Sequence, residues 1–215
     1  MYVKDSMTRN PYTISLNQSV SEALDIMSAS KTHRLPVVDK QGKLLGLITE
    51  GVITSNTPNN STSLSMYELN YLLNKLEVKD IMIKDVITVK EDALLEEAAT
   101  LLRKNDIGCL PVVDDDNSLL GIITHNDIFD AFINLLGYNI IGSRYVINVP
   151  LDKPGIMEGI AKICKDNEIS ISNLAVYHTQ RGIEVVVITN SNVDISSKLK
   201  ESGYNVTSFM ALNNK

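Results

Sequence analysis

Apolar positions in this chain follow two spacings that alternate in blocks. Val20, Ala23, Leu24 and Met27 fall three and four residues apart, as do Leu95, Ala98, Ala99 and Leu102. Each set lines one face of a helix. After the first comes an apolar run, Leu35–Val38, a polar turn, Asp39-Lys40-Gln41-Gly42, and a second apolar run, Leu44–Ile48. Short apolar runs bounded by turn residues predict strands. A further helix is predicted to begin near Thr49, and Ser19 with Glu22 has the spacing of a capping box for the first helix.

The blocks are copies of one another. Shifting Val3–Ile53 by 75 positions lays it on Val78–Ile128 without a gap. Val3-Lys4-Asp5 meets Val78-Lys79-Asp80, and Leu35-Pro36-Val37-Val38-Asp39 meets Leu110-Pro111-Val112-Val113-Asp114. Leu44-Leu45-Gly46 meets Leu119-Leu120-Gly121 in the same register. Each copy reads as β-α-β-β-α, and about fifty residues bury too little surface to stand alone, so the copies are expected to pack on each other. Between them, Ser55–Ser65 is rich in Asn, Ser and Thr and is read as a linker. Met66, Leu69, Leu72, Leu73 and Leu76 then recur at helical spacing. That helix is expected to cap the repeat core, with a partner-binding role as the alternative.

The pattern changes after residue 143. Tyr145–Val149 reads as a strand, and Asp152-Lys153-Pro154-Gly155 as the opening of a helix with Pro154 just inside it. Ile156, Ile160, Ile163 and Cys164 share one face of that helix. Strands at Ile169–Tyr177 and Ile183–Ile188, a helix near Ile195–Glu201 and a strand at Tyr204–Met210 complete a ferredoxin-like β-α-β-β-α-β order. The expected organisation is residues 1–55 and 78–136 as repeats, 56–77 as linker and helix, and 143–215 as a separate α+β unit.

The totals narrow the function. Apolar residues are 44% of the 215, enough for real cores. A formal charge of −6 disfavours a nucleic-acid or anionic-membrane binder. The two cysteines, Cys109 and Cys164, form no CxxC motif, so a reducing cytoplasm is expected. The first residues lack a leader pattern, and no apolar run is long enough to span a bilayer. No nucleophile–base motif or phosphate loop is present, so no enzyme activity is expected. Asp114-Asp115-Asp116-Asn117 lacks the ligand spacing of a calcium loop and lies where a hairpin turn is expected.

Val-Lys-Asp-x-Met, Leu-Pro-Val-Val-Asp and Leu-Leu-Gly-x-Ile-Thr, each present twice, resemble CBS repeats from about Val3 to Phe132. The C-terminal unit resembles an ACT domain through Asp152–Gly155 and its element order. Together they resemble the acetoin-utilisation AcuB-like proteins. The resemblance implies two CBS repeats packed as a pair, a C-terminal ACT domain, and a regulatory protein. Its implied ligand is an adenine nucleotide (AMP, ADP or ATP), ahead of S-adenosylmethionine, in a cleft between the repeats. A role in acetoin or central carbon metabolism is implied too. An amino-acid ligand near Asp152 to Gly155 is the alternative.

Carried over residue by residue, the resemblance makes Asp127 the binder of the ribose hydroxyls and Thr124, beside Asn126, a phosphate contact. A carboxylate offers two acceptors to a vicinal diol, and a helix N-terminus favours an anion. Thr124 and Asp127 could equally be a helix cap, and the first copy has Thr49 but Val52 at the matching positions. The resemblance brings His33 and Arg34 to the phosphate, where the second copy has Gly108 and Cys109; a basic helix end is the other reading. Adenine is placed near Met7, Asn10, Tyr12 and Thr13, with Tyr12 either a stacking platform or an ordinary half-buried side chain. One cleft of the two would thus be equipped, giving one tight nucleotide per chain. A twofold homodimer is expected, since exposed sheet edges favour pairing.

Overall fold

Helix α1 (Val20–Ser30) begins where the capping pattern placed it. Ser19 Oγ accepts from the Glu22 N–H at 3.2 Å, and the Glu22 carboxylate accepts from the Ser19 N–H at 2.8 Å. It follows a short β1 (Thr8–Arg9) and leads into β2 (Arg34–Val38) and β3 (Leu44–Thr49), an antiparallel pair. Thr49 caps α2 (Glu50–Asn56), so Ser55 and Asn56 belong to a helix and not to the linker expected there. The computed structural model describes residues 1–57, 66–151, 153–180 and 182–212; the rest of the linker, up to Ser65, lies outside them.

Helix α3 (Met66–Lys75) leads into α4 (Val78–Ile81), α5 (Leu95–Asn105), the antiparallel pair β4 (Cys109–Val113) and β5 (Leu119–Thr124), and α6 (His125–Leu135). Leu73 and Leu76 pack on the core of the first copy, as a capping helix should, while Tyr71 and Leu72 stay exposed. The Asp114–Asn117 segment forms a turn in which Asp114 Oδ1 accepts from the Asp116 and Ser118 N–H groups. Asp39 does the same for Gln41 and Lys43 in the first copy.

The copies exchange their leading segments. The Val3 N–H donates to the Ala93 carbonyl and the Lys4 N–H to Glu91; reciprocally, Val78 donates to Gln18 and Lys79 to Leu16. β1 pairs with β5, Thr8 opposite Ile122, while Ile83 pairs with Leu47 on β3. Val78 is therefore buried in the core of the first copy. The leading segment of the second copy makes a single bridge at Ile83 where a strand was expected.

The chain divides into two compact units, Met1–Ile128 and Phe129–Lys215. The division falls inside α6, eight residues earlier than the expected end of the repeats at 136. The second unit contains β6 (Gly142–Val149), α7 (Ile156–Asp166), β7 (Ile171–Thr179), β8 (Gly182–Thr189), α8 (Ser196–Glu201) and β9 (Asn205–Leu212). Its antiparallel sheet runs β7-β8-β6-β9. Tyr145, Ile147, Val185 and Val187 on one face bury against Ile160 and Cys164 of α7 and Leu199 of α8. The Tyr145 hydroxyl donates to the Val193 carbonyl at 2.7 Å, and burial pushes its pKa up. Pro154 is not inside α7: Gly155, with φ at +92°, is its N-cap. A left-handed N-cap suits glycine, so the helix begins two residues later than the proline suggested. Asp152 lies outside the described residues.

The repeated Leu-Leu-Gly now has a reason. A Cβ on Gly121 would lie 2.8 Å from the Thr8 carbonyl oxygen, and one on Gly46 would lie 2.7 Å from that of Ile83. Only a glycine lets the other copy's leading segment cross that strand. Gly121→Ala is therefore expected to destabilise the protein by about 1–3 kcal/mol through overpacking. Gly51→Ala, in a helix and with no close neighbour, should be neutral or stabilising by up to about 1 kcal/mol. Urea unfolding of the two variants checks this, and equal midpoints would contradict it.

Candidate functional site

The exchange of leading segments leaves two clefts between the copies, one on each side of the pseudo-twofold. The first, of about 460 Å³, is lined by Tyr12 and Pro11 from the first leading segment, Lys31 to Arg34 beyond α1, and Thr124 to Asp127 at the start of α6. Six of the nine residues singled out from the sequence meet here: Tyr12, His33, Arg34, Thr124, Asn126 and Asp127. Met7, Asn10 and Thr13 are not among its lining residues. Met7 is buried against Gly121, and Asn10 takes a left-handed turn with its N–H directed to the Leu120 carbonyl.

Asp127 sits in the first turn of α6. Its Oδ2 accepts from the Thr124 N–H and from Thr124 Oγ1, both at 2.7 Å. Among the described residues its Oδ1 takes no hydrogen bond. The carboxylate is partly buried, so it meets the cleft from a fixed direction. Around it the cleft is cationic: Lys31 and Arg34 are permanent charges, and His33 and His125 add two imidazoles. Lys31 ends α1 in a left-handed conformation, which turns the chain back toward the cleft. Lys31 and His125 flank residues already singled out in the sequence, and their nearness in the chain was the signal available for them. Tyr12 is 65% exposed, a ring open to stacking and not a core side chain.

The second cleft, of about 450 Å³, is built from the matching positions of the other copy. Where the first has Thr8, Pro11, Tyr12 and Thr32, the second has Ile83, Val86, Ile87 and Ile107. Val52 replaces Asp127 and is not among its lining residues. His33 and Arg34 reach this cleft as well, beside Gly108 and Cys109. His33 Nδ1 lies 2.9 Å from Glu50 Oε2, and an Arg34 Nη1 donates to the Gly108 carbonyl. A Cβ on Gly108 would lie 2.8 Å from Arg34 Nη1, so glycine here makes room for the guanidinium. The basic pair is thus shared between the clefts, whereas the carboxylate belongs to one.

The chain is similar to known proteins. The CBS domain family matches residues 3–55 and 78–134. A CBS domain-containing protein of Dictyostelium discoideum is 34% identical over 140 residues, covering 62% of this chain and 92% of its own length. An inosine-5'-monophosphate dehydrogenase of Methanocaldococcus jannaschii is 38% identical over 116 residues, covering 54% of this chain but only 20% of that enzyme. Among solved structures, a proposed acetoin utilization protein, AcuB, from Vibrio cholerae has TM-score 0.54 and 33% identity, covering 64% of this chain and 93% of its own. The structure of CBSX2 in complex with AMP has TM-score 0.52 and 31% identity, covering 62% of this chain and 97% of its own.

The cysteines, Cys109 in the first unit and Cys164 in the second, offer a direct check on the packing of each. Burial pushes the Cys109 thiol up, with Arg34 pulling it partly back, and burial also raises Cys164. A raised thiol pKa keeps the group protonated at pH 8, and the thiolate is the reactive form. Both thiols should stay unreactive toward a disulfide reagent at pH 8 until the protein is unfolded. Fast titration of either in the native state would contradict this placement.

Proposed function

The chain belongs to the CBS domain family, and on that premise we propose that it is a non-catalytic regulatory protein whose Asp127 cleft holds an adenine nucleotide of the AMP, ADP or ATP class. The observation that carries the reading is the meeting of Asp127, Arg34 and Tyr12 in one cleft. The three supply a diol acceptor, a phosphate fork and an aromatic face. The likeness to a structure solved with AMP supports the same ligand class. S-adenosylmethionine ranks below the nucleotides because it has no phosphate for Arg34. The likeness to the Vibrio cholerae protein supports a role in acetoin or central carbon use. Regulation follows if nucleotide binds two conformations with different affinity.

One tight nucleotide per chain is expected. The asymmetry rests on Asp127 against Val52, because the basic pair lines both clefts. We read the second unit as ACT-like from its β-α-β-β-α-β order and its β7-β8-β6-β9 sheet. No helix among the described residues is long and apolar enough to cross a membrane. We also propose a cytoplasmic, twofold homodimer, since exposed sheet edges favour pairing. A monomeric mass by light scattering at micromolar concentration would exclude that dimer.

Calorimetry tests the site. Losing a charged hydrogen-bonding partner costs about 1.5–3 kcal/mol, or roughly 10- to 150-fold in affinity. Asp127→Ala should weaken AMP and adenosine alike, since both present the ribose diol. Arg34→Ala should weaken AMP and leave adenosine nearly unchanged. Two equal sites per chain would refute the asymmetry, and unchanged AMP binding in both variants would remove the site. Amino acids titrated alongside AMP separate this reading from an amino-acid sensor.

A further inference from the structure

The second unit presents a cavity on the sheet face that its core does not use. Along β6 the side chains alternate, so Tyr145 and Ile147 enter the helix-covered core while Arg144 points to the other face. There Arg144 lies opposite Ile188 of β8 and Met210 of β9. The C-terminal half of α6 forms the facing wall, held by a hydrogen bond from the Asn173 amide to the Leu135 carbonyl. The space is a half-open cavity of about 360 Å³, walled by Phe132, Ile133, Ala175, Val186, Ile188 and Met210. That size and lining are those of a small-molecule site: mostly apolar, with few polar groups.

Among the described residues, Arg144 is the one charged residue that lines this cavity. It is partly buried, and among the described residues no carboxylate lies within ion-pair distance of it. The acid on the same sheet face, Glu184, is opposite Asn148, about 14 Å further along the strand. A guanidinium walled by apolar side chains loses hydration and gains no partner among the described residues, an arrangement that an incoming anion relieves. We propose that this cavity binds a monocarboxylate with an apolar body, its head forked by Arg144 and its body between α6 and the sheet. A carboxylate matches the planar fork in two parallel hydrogen bonds. An apolar body matches the walls, and neither half alone accounts for both features. This site is separate from the Asp127 cleft and from the first turn of α7.

The test is calorimetry of the full chain with octanoate, octanamide and acetate, run without nucleotide so that its outcome stands apart from the AMP experiments. Octanoate should bind once per chain. Octanamide, with the body but no charge, and acetate, with the charge but no body, should each bind at least about tenfold more weakly. Arg144→Gln should weaken octanoate by roughly 10- to 150-fold while leaving octanamide unchanged. Ala175→Leu, which fills the cavity without touching Arg144, should weaken octanoate and octanamide together; circular dichroism of both variants establishes that they fold. Equal binding of octanoate and octanamide, or full octanoate binding by Arg144→Gln, would overturn the proposal. So would the absence of octanoate binding by the folded full chain.

Discussion

The first unit depends on the reciprocal crossing of two leading segments. Each copy donates its first residues to the other, so neither core is complete alone: Val78 is buried among the side chains of the first copy. The crossing is held by matched backbone hydrogen bonds, Val3 to Ala93 and Val78 to Gln18, Lys4 to Glu91 and Lys79 to Leu16. It demands close approach of two backbones, which is why Gly46 and Gly121 stand where they do. Buried backbone groups must find partners, and here the partners come from the other repeat. The clefts are a by-product of this exchange, since it sets residues near 12 beside residues near 125.

A symmetric frame can still carry an asymmetric site. The two clefts have nearly the same volume, but one is walled by isoleucine and valine where the other has Tyr12, Pro11 and Thr32. Arg34 sits between them, donating to the Gly108 carbonyl. A shared cation cannot by itself choose between two clefts. On the proposed reading the choice falls to the groups that are not shared, above all Asp127 and the apolar wall opposite.

Much of this was legible in the chain because it rests on local rules. The repeat, the strand pairs and the turns at Asp39 and Asp114 follow from apolar runs and turn residues that need no tertiary context. The Ser19 cap was readable for the same reason. What was not readable depends on pairs far apart in sequence. Nothing in His33-Arg34 shows that the pair would line both clefts, because that rests on the contact between Arg34 and Gly108, 74 positions away. The resemblance put Met7 near the adenine, whereas the crossing buries it against Gly121, outside the lining of the cleft. Pro154 misled by a different route. Its preference for a first helical turn is real, but the following Gly155 takes the left-handed cap itself.

The two readings of Asp127, helix cap and ribose acceptor, are not rivals once the atoms are separated. Capping engages Oδ2 alone, through the Thr124 N–H and hydroxyl. Oδ1 takes no partner among the described residues, and a diol needs acceptors, not a whole uncommitted side chain. The first copy supplies the comparison. There Thr49 caps α2 with its hydroxyl on the Val52 N–H at 3.2 Å, and the position of Asp127 holds a valine. A helix on this frame therefore starts without a carboxylate at its third position, although Glu50 stands at its first. The acid in the second copy adds a favourable charge at the helix N-terminus, worth about 0.3–1 kcal/mol. Beyond that its effect is electrostatic and directional. The cap fixes the carboxylate rotamer, so the remaining oxygen is held in place before any ligand arrives, and less ordering is left for binding to impose.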